Sequence, residues 1–279
     1  MDNANSILLN RFFTRNTFKQ IVDYGESPAY IAAIRRYIVD PTGKTNEECI
    51  SEIYQYLKKE YQNEYYYKNT LLNKLLLGIH SPRTTTALTE VPIGNSKADF
   101  ILINGKAVVY EIKTALDNFD RLDGQIEDYY KAFSRVVVVT SEKNFDSVQQ
   151  KLQNSPTGIC LLTKKGTLSV RKEPIEYGEM LSKPIMFKIL RKNEYEQILL
   201  KHFRLLPDVS QFEYYRACQA MFESLSTDIA YQMFVQILKL RAKIDVVEYS
   251  KIPYELKFLI YFSNYKKSDY AKLSHFLST

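Results

Sequence analysis

The sequence predicts an α/β protein with a mixed central sheet, flanked by N-terminal helices and followed by an all-α C-terminal region. Three observations carry this. Residues 98–113 hold two apolar, β-branched runs around Asn104-Gly105, the dipeptide of a hairpin turn. Val136-Val137-Val138-Val139-Thr140 and residues 158–163 are short continuous apolar runs of the kind found in buried parallel strands. After Pro174 the strand patterns stop and apolar residues recur at helical spacing to the end.

Taken in order, Leu8, Leu9, Phe12, Phe13, Phe18, Ile21 and Val22 follow a helical repeat. Ser27-Pro28 opens a helix over residues 28–39, with Pro at its first position, and Asp40-Pro41-Thr42-Gly43 turns the chain. Thr45 and Glu48 form a capping box ahead of Ile50, Ile53, Tyr54 and Leu57. A further helix over residues 63–77 has Gly78 as its expected C-cap. Its spacing sets Glu64 on the core-facing side. His80, just beyond, reads as a cap or surface residue.

Residues 84–92 have strand character up to the turn Ile93-Gly94-Asn95-Ser96, and strands follow over 98–103 and 107–113. Residues 117–133 are helical in pattern, 144–153 again, and a last strand spans 167–170. A helix between Lys113 and Val136 supplies the crossover of a parallel pair. This order is that of a three-layer α/β unit. Helices are expected over 180–190, 195–206, 211–223, 227–242 and 254–277. The chain thus divides into an N-terminal helical region (1–59), an α/β core (60–173) and a helical C-terminal region (174–279).

The chain has 279 residues and a net charge of +6, compatible with a polyanionic partner without establishing one. Its 22 tyrosines, with no tryptophan, are expected mostly at core edges and helix contacts. Cys49, Cys160 and Cys218 are far apart and in no ligand-like spacing, which points to buried free thiols in a reducing compartment. No signal peptide or membrane-length apolar stretch is visible, so the expected location is cytoplasmic. There is no phosphate-binding glycine loop and no Cys/His cluster.

The candidate site lies in the hairpin. Asp99, Glu111 and Lys113 interrupt strands that read as buried on both faces, and buried charge is costly unless paired or metal-bound. Glu111 and Lys113 share one strand face while Ile112 anchors on the other. A two-residue loop at Asn104-Gly105 would set Asp99 opposite Tyr110, away from Glu111. A three-residue loop, Asn104-Gly105-Lys106, pairs Ile103 with Ala107 and sets Asp99 opposite Glu111. Two carboxylates and an ammonium at strand ends suit metal-assisted phosphodiester hydrolysis. The acids are hard oxygen ligands for Mg²⁺ or Mn²⁺, the Ile112 carbonyl is a further ligand, and Lys113 handles the water or the developing charge.

Asp99 followed after a hairpin by Glu111-Ile112-Lys113 resembles the PD-(D/E)XK nuclease superfamily, with Ala98 where that family often has proline. Gln125-Ile126-Glu127-Asp128-Tyr129 is similar to the Gln-x-x-x-Tyr of its RecB-like branch, which stands beside Holliday-junction resolvases. The resemblance covers about residues 60–170 and implies a restriction-endonuclease-like core. It also implies an acid on the preceding helix. Glu64 fits that place, with Glu60 as competitor and Glu90 as a third candidate read as a strand-edge residue. Asp117, Arg121, Gln125 and Tyr129 recur at every fourth position, and Arg121, Gln125 and Tyr129 would position substrate. The expected function is a Mg²⁺- or Mn²⁺-dependent nuclease. Its partner is nucleic acid, DNA ahead of RNA, with a setting in phage defence, mobile elements or repair given by analogy alone. The rivals are a non-cleaving nucleic-acid-binding module of the same fold, and an interaction protein whose C-terminal helices recruit a partner or a second copy.

Overall fold

The computed structural model describes residues 3–79, 81–241 and 244–279. His80 and the end of the helix expected to reach Ala242 lie outside the described residues. Five helices come first: α1 (Asn3–Phe12), α2 (Arg15–Tyr24), α3 (Pro28–Tyr37), α4 (Asn46–Glu60) and α5 (Glu64–Leu71). The strands β1 (Thr86–Ile93), β2 (Ser96–Asn104) and β3 (Lys106–Lys113) follow, then α6 (Leu122–Tyr130), β4 (Val136–Ser141), α7 (Phe145–Lys151), β5 (Gly158–Leu162) and β6 (Leu168–Lys172). The chain ends in α8 (Lys183–Ile189), α9 (Lys192–Phe203), α10 (Gln211–Glu223), α11 (Thr227–Leu238), α12 (Val246–Ser250), α13 (Lys257–Tyr261) and α14 (Lys267–Ser278). No described helix is long and apolar enough to cross a membrane.

Two compact units result, and they do not follow chain order. One joins residues 1–83, 164–168 and 243–279; the other joins 84–163 and 169–242. The last helices pack with the first ones, and α8 packs on β1. In the helical unit α14 meets α2 and α4, and α13 meets α5. Its core is aromatic: Phe13 stacks on Tyr65 at 4.7 Å, and Tyr54 and Tyr66 are fully buried. Asn69, itself buried, donates to the Tyr54 hydroxyl and the Tyr254 carbonyl and accepts from the Phe258 N–H, so both ends of its amide are paired. The Thr45–Glu48 capping box forms as expected. The helix after Asn63 does not stop at Gly78: it passes into a π-helical stretch, Leu72–Ile79, that includes it.

The other unit is built on a six-stranded mixed sheet in the order β1-β2-β3-β4-β5-β6. β1, β2 and β3 are antiparallel neighbours, and β3, β4 and β5 run parallel. The two parallel steps are made through α6 and α7, as the apolar runs require. α6 packs on β2 and β4, α7 on β4 and β5, and α8 on β1. Every residue of β4 and β5 is buried. The core runs from Ile101, Val109 and Val138 through Leu122, Tyr129 and Phe133 to Phe187, Phe222 and Phe234 of α8, α10 and α11.

Four departures from the sequence reading are local. The helix expected over 117–133 begins only at Leu122, because Asp117 turns back to accept the Thr114 N–H and hydroxyl, each at 2.8 Å. Asp117 is therefore not on the stripe of Arg121, Gln125 and Tyr129. The final helix is interrupted at Asn264, whose φ is +52°, and splits into α13 and α14. The short α12 went unforeseen. Glu64 is not core-facing: it opens α5 exposed to solvent, 2.5 Å from the buried Lys68 ammonium.

Candidate functional site

The hairpin register is the one that the site requires. Ile103 pairs with Ala107 and Phe100 with Tyr110, around Gly105 at φ +70°. The ladder ends there; carried one step further, the same register would set Asp99 opposite Glu111. There the Asp99 side chain takes over from the backbone ladder: its Oδ2 accepts the Ile112 N–H at 2.9 Å.

Glu111 and Lys113 are 2% and 7% exposed. Their side chains meet at 2.9 Å, Lys113 Nζ to Glu111 Oε1. The other carboxylate oxygen accepts from the Tyr129 hydroxyl at 2.6 Å, and that hydroxyl also lies 3.0 Å from the Lys97 carbonyl. Lys113 donates in addition to Gln125 Oε1 at 2.8 Å. The α6 stripe thus covers the pair: Gln125 holds the ammonium and Tyr129 holds the carboxylate. Tyr129 is fully buried, so it acts on Glu111 from inside the protein. Burial, the Glu111 charge and the bond to Glu111 push its hydroxyl pKa far above the usual range.

Arg121 stands exposed at the N-terminus of α6. It borders a cleft of about 680 Å³ between α6 and the β1–β2 turn, with Lys97, Gln125 and Lys131 also on its walls. Gln125 therefore joins the buried pair to open surface.

Glu90 lies on β1, an edge strand of the sheet, as its strand-edge reading expects. The core takes Leu88 and Val91 from β1, and Ala98 and Ile101 from β2. Each pair is three residues apart, whereas strand alternation calls for an even spacing. The alternation therefore slips in both strands at once, at Glu90 and Asp99. Glu90 has φ +56°, and carboxylate oxygens of Glu90 and Asp99 lie within 4.8 Å of each other. Lys97 pairs with Glu90 at 2.7 Å. The intact register on either side hid this slip, and nothing in the residue pattern marks it. Glu60 ends α4 and Glu64 opens α5, both in the helical unit.

Carboxylate oxygens such as those of Asp99 and Glu90 are of the kind that hold Mg²⁺ or Mn²⁺, whereas both Glu111 oxygens are bonded, to Lys113 and Tyr129. No soft or nitrogen ligand is among these donors.

The chain belongs to the family described as Bacteriophage P4 protein cII, which matches residues 57–252. That span contains the whole sheet and every residue of the site just described. Protein cII of Enterobacteria phage P4 is 30% identical over 119 residues, covering 41% of this chain and 44% of that protein. The matched stretch is thus under half of the relative's length. The SPO1766 protein of unknown function from Silicibacter pomeroyi matches as a solved structure at 14% identity and a TM-score of 0.28. That match covers 46% of this chain and 87% of that one.

Proposed function

We propose that this chain is a metal-dependent nuclease that hydrolyses DNA phosphodiester bonds, on a core layered like a restriction endonuclease and with a site of the PD-(D/E)XK kind. The observation that carries the reading is the buried Glu111–Lys113 pair on the hairpin strands, with the Asp99 carboxylate on the intervening Ile112 N–H. A buried ion pair is a poor device for stability, since apolar residues of similar volume do as well or better. Its placement in the middle of a sheet, beside a further carboxylate, fits chemistry.

Asp99, Glu111 and the Ile112 carbonyl would hold Mg²⁺ or Mn²⁺, with Glu90 close to Asp99. A bound ion would supply an acidified water and offset charge on the phosphoryl oxygens. Lys113 orients that water or stabilises the charge developing on phosphate. Gln125 keeps the ammonium in place, and Tyr129 fixes the rotamer of Glu111. Arg121 offers a guanidinium to phosphate at the cleft. A phage-encoded relative is in keeping with a setting in phage or mobile-element DNA.

A second reading is favoured by one observation: both Glu111 oxygens and the Lys113 ammonium already have protein partners. A site so satisfied could hold nucleic acid without cutting it. One assay separates the two. Linear, circular, single-stranded and branched DNA, and RNA, are incubated with the protein in Mg²⁺, Mn²⁺ or EDTA. Metal-dependent cleavage supports the nuclease. Tight, salt-sensitive binding without cleavage supports the binding module. Glu90→Gln and Glu64→Gln, assayed alongside, identify the further acid as the one whose loss lowers cleavage at unchanged thermal stability.

A further inference from the structure

We propose that Asp128 is a positioning residue: it locks the β1–β2 turn to α6, and through that turn and Tyr129 it sets the orientation of Glu111. The proposal rests on the nuclease reading only for its effect on rate; the mechanical coupling stands apart from it.

Asp128 is buried, yet it touches neither Glu111 nor Lys113. Its Oδ2 accepts the Asn95 N–H at 3.0 Å and the Ser96 hydroxyl at 2.8 Å, and its Oδ1 meets the Lys131 ammonium at 3.0 Å. The turn is shaped for this carboxylate. Gly94 has φ +60°, and a Cβ there would stand 2.5 Å from Asp128 Oδ1. Glycine is therefore required twice, for the backbone angle and for the space.

Consecutive helical residues point about 100° apart, so α6 sends Asp128 to the turn and Tyr129 deeper. Tyr129 meets the same turn one residue on, at the Lys97 carbonyl, and then Glu111. Asp128 thus fixes Asn95 and Ser96, and the next carbonyl, that of Lys97, shares the single Tyr129 hydroxyl proton with Glu111. The lock lies just before the place where strand alternation slips at Glu90 and Asp99, so it steadies the entry to β2 where the pleat is irregular.

The test compares Asp128→Ala, Asp128→Asn and Lys131→Met. Asn keeps an acceptor oxygen for the turn and loses the ion pair, while Lys131→Met leaves the carboxylate on the turn and removes the ammonium from Asp128 and Glu127. Amide hydrogen exchange is read at residues 96–99 and 111–113, with β4 as the internal reference. Asp128→Ala is expected to speed exchange at both segments tenfold or more relative to β4, and Asp128→Asn and Lys131→Met less than threefold. Faster exchange at the turn alone, with 111–113 unchanged, would overturn the coupling, whether or not the protein cuts DNA. Where cleavage is seen, Asp128→Ala is expected to lower kcat at least tenfold with KM changed under threefold, and Asp128→Asn to recover most of it. A loss of thermal stability with unchanged kcat would reduce Asp128 to a structural residue.

Discussion

The Glu111–Lys113 pair separates stability from chemistry. Taken from water together, the two charges satisfy each other and their remaining valences go to Tyr129 and Gln125. Removing one partner leaves a buried charge, which typically costs about 3–5 kcal/mol, whereas replacing both with apolar residues is often neutral. Glu111→Ala is therefore expected to lose roughly 3 kcal/mol in denaturant unfolding. The double variant Glu111→Met with Lys113→Met is expected to lie within about 1 kcal/mol of wild type. Cleavage should be absent from both. A double variant that stays active would remove the pair from the mechanism.

At the scale of elements, the hairpin loop decides whether a site exists. Deleting Ala107 while the Asn104-Gly105-Lys106 loop is kept pairs Ile103 with Val108 and shifts the register by one, which turns Asp99 away from Glu111. The expected outcome is a retained far-UV circular dichroism spectrum with loss of cleavage. Helix ends show a second regularity. Lys172 donates to the carbonyls of Leu152 and Ser155 after α7, and Lys183 to those of Glu223 and Leu225 after α10. Lys257 caps α12 at Tyr249 and Ser250, and Arg241 caps α8 at Ile189. Each cation comes from outside the helix it caps and meets the negative end of a helix dipole, worth roughly 0.3–2 kcal/mol. Lys172→Met should cost about 1 kcal/mol in thermal or denaturant unfolding. No change would show that the bond contributes nothing.

These elements also show what the sequence could convey. Asn104-Gly105 and the four-valine run made the hairpin and the first parallel strand legible, because turn chemistry and apolar continuity are local. Glu111 and Lys113 were legible as charges in an apolar setting. The slip at Glu90 and Asp99 was not, since a left-handed glutamate leaves no mark in composition. Nor was the grip of Asp128 on the β1–β2 turn, which spans more than thirty residues of chain. Asp117 misled because its four-residue spacing from Arg121 imitates a helix that its own bond to Thr114 prevents.

For the whole molecule, the net charge of +6 is a weaker sign of a polyanion partner than it looks. Several of its cations are committed to helix ends or to buried carboxylates. Burial would raise the Glu194 carboxyl pKa, but the bidentate Arg241 guanidinium and the Arg191 N–H hold it below the usual range. Burial likewise opposes Asp128, and the bonds from Lys131, Ser96 and Asn95 hold it low. Folded carboxyls with depressed pKa values contribute stability above their unfolded values, near about 4, and lose it as pH falls through the folded ones. The thermal midpoint should therefore drop as pH falls from about 5 toward about 3. The drop should be shallower in Glu194→Gln, read by scanning calorimetry. Equal slopes in variant and wild type would remove Glu194 from the acid response.

The most direct measurement is cleavage of linear and circular DNA by wild type and Lys113→Ala, each with Mg²⁺ and with EDTA. The expected result is cleavage by wild type in Mg²⁺ only, at least a hundredfold slower in Lys113→Ala at comparable thermal stability. Equal cleavage by both proteins, or no cleavage by wild type in any metal, would contradict the account.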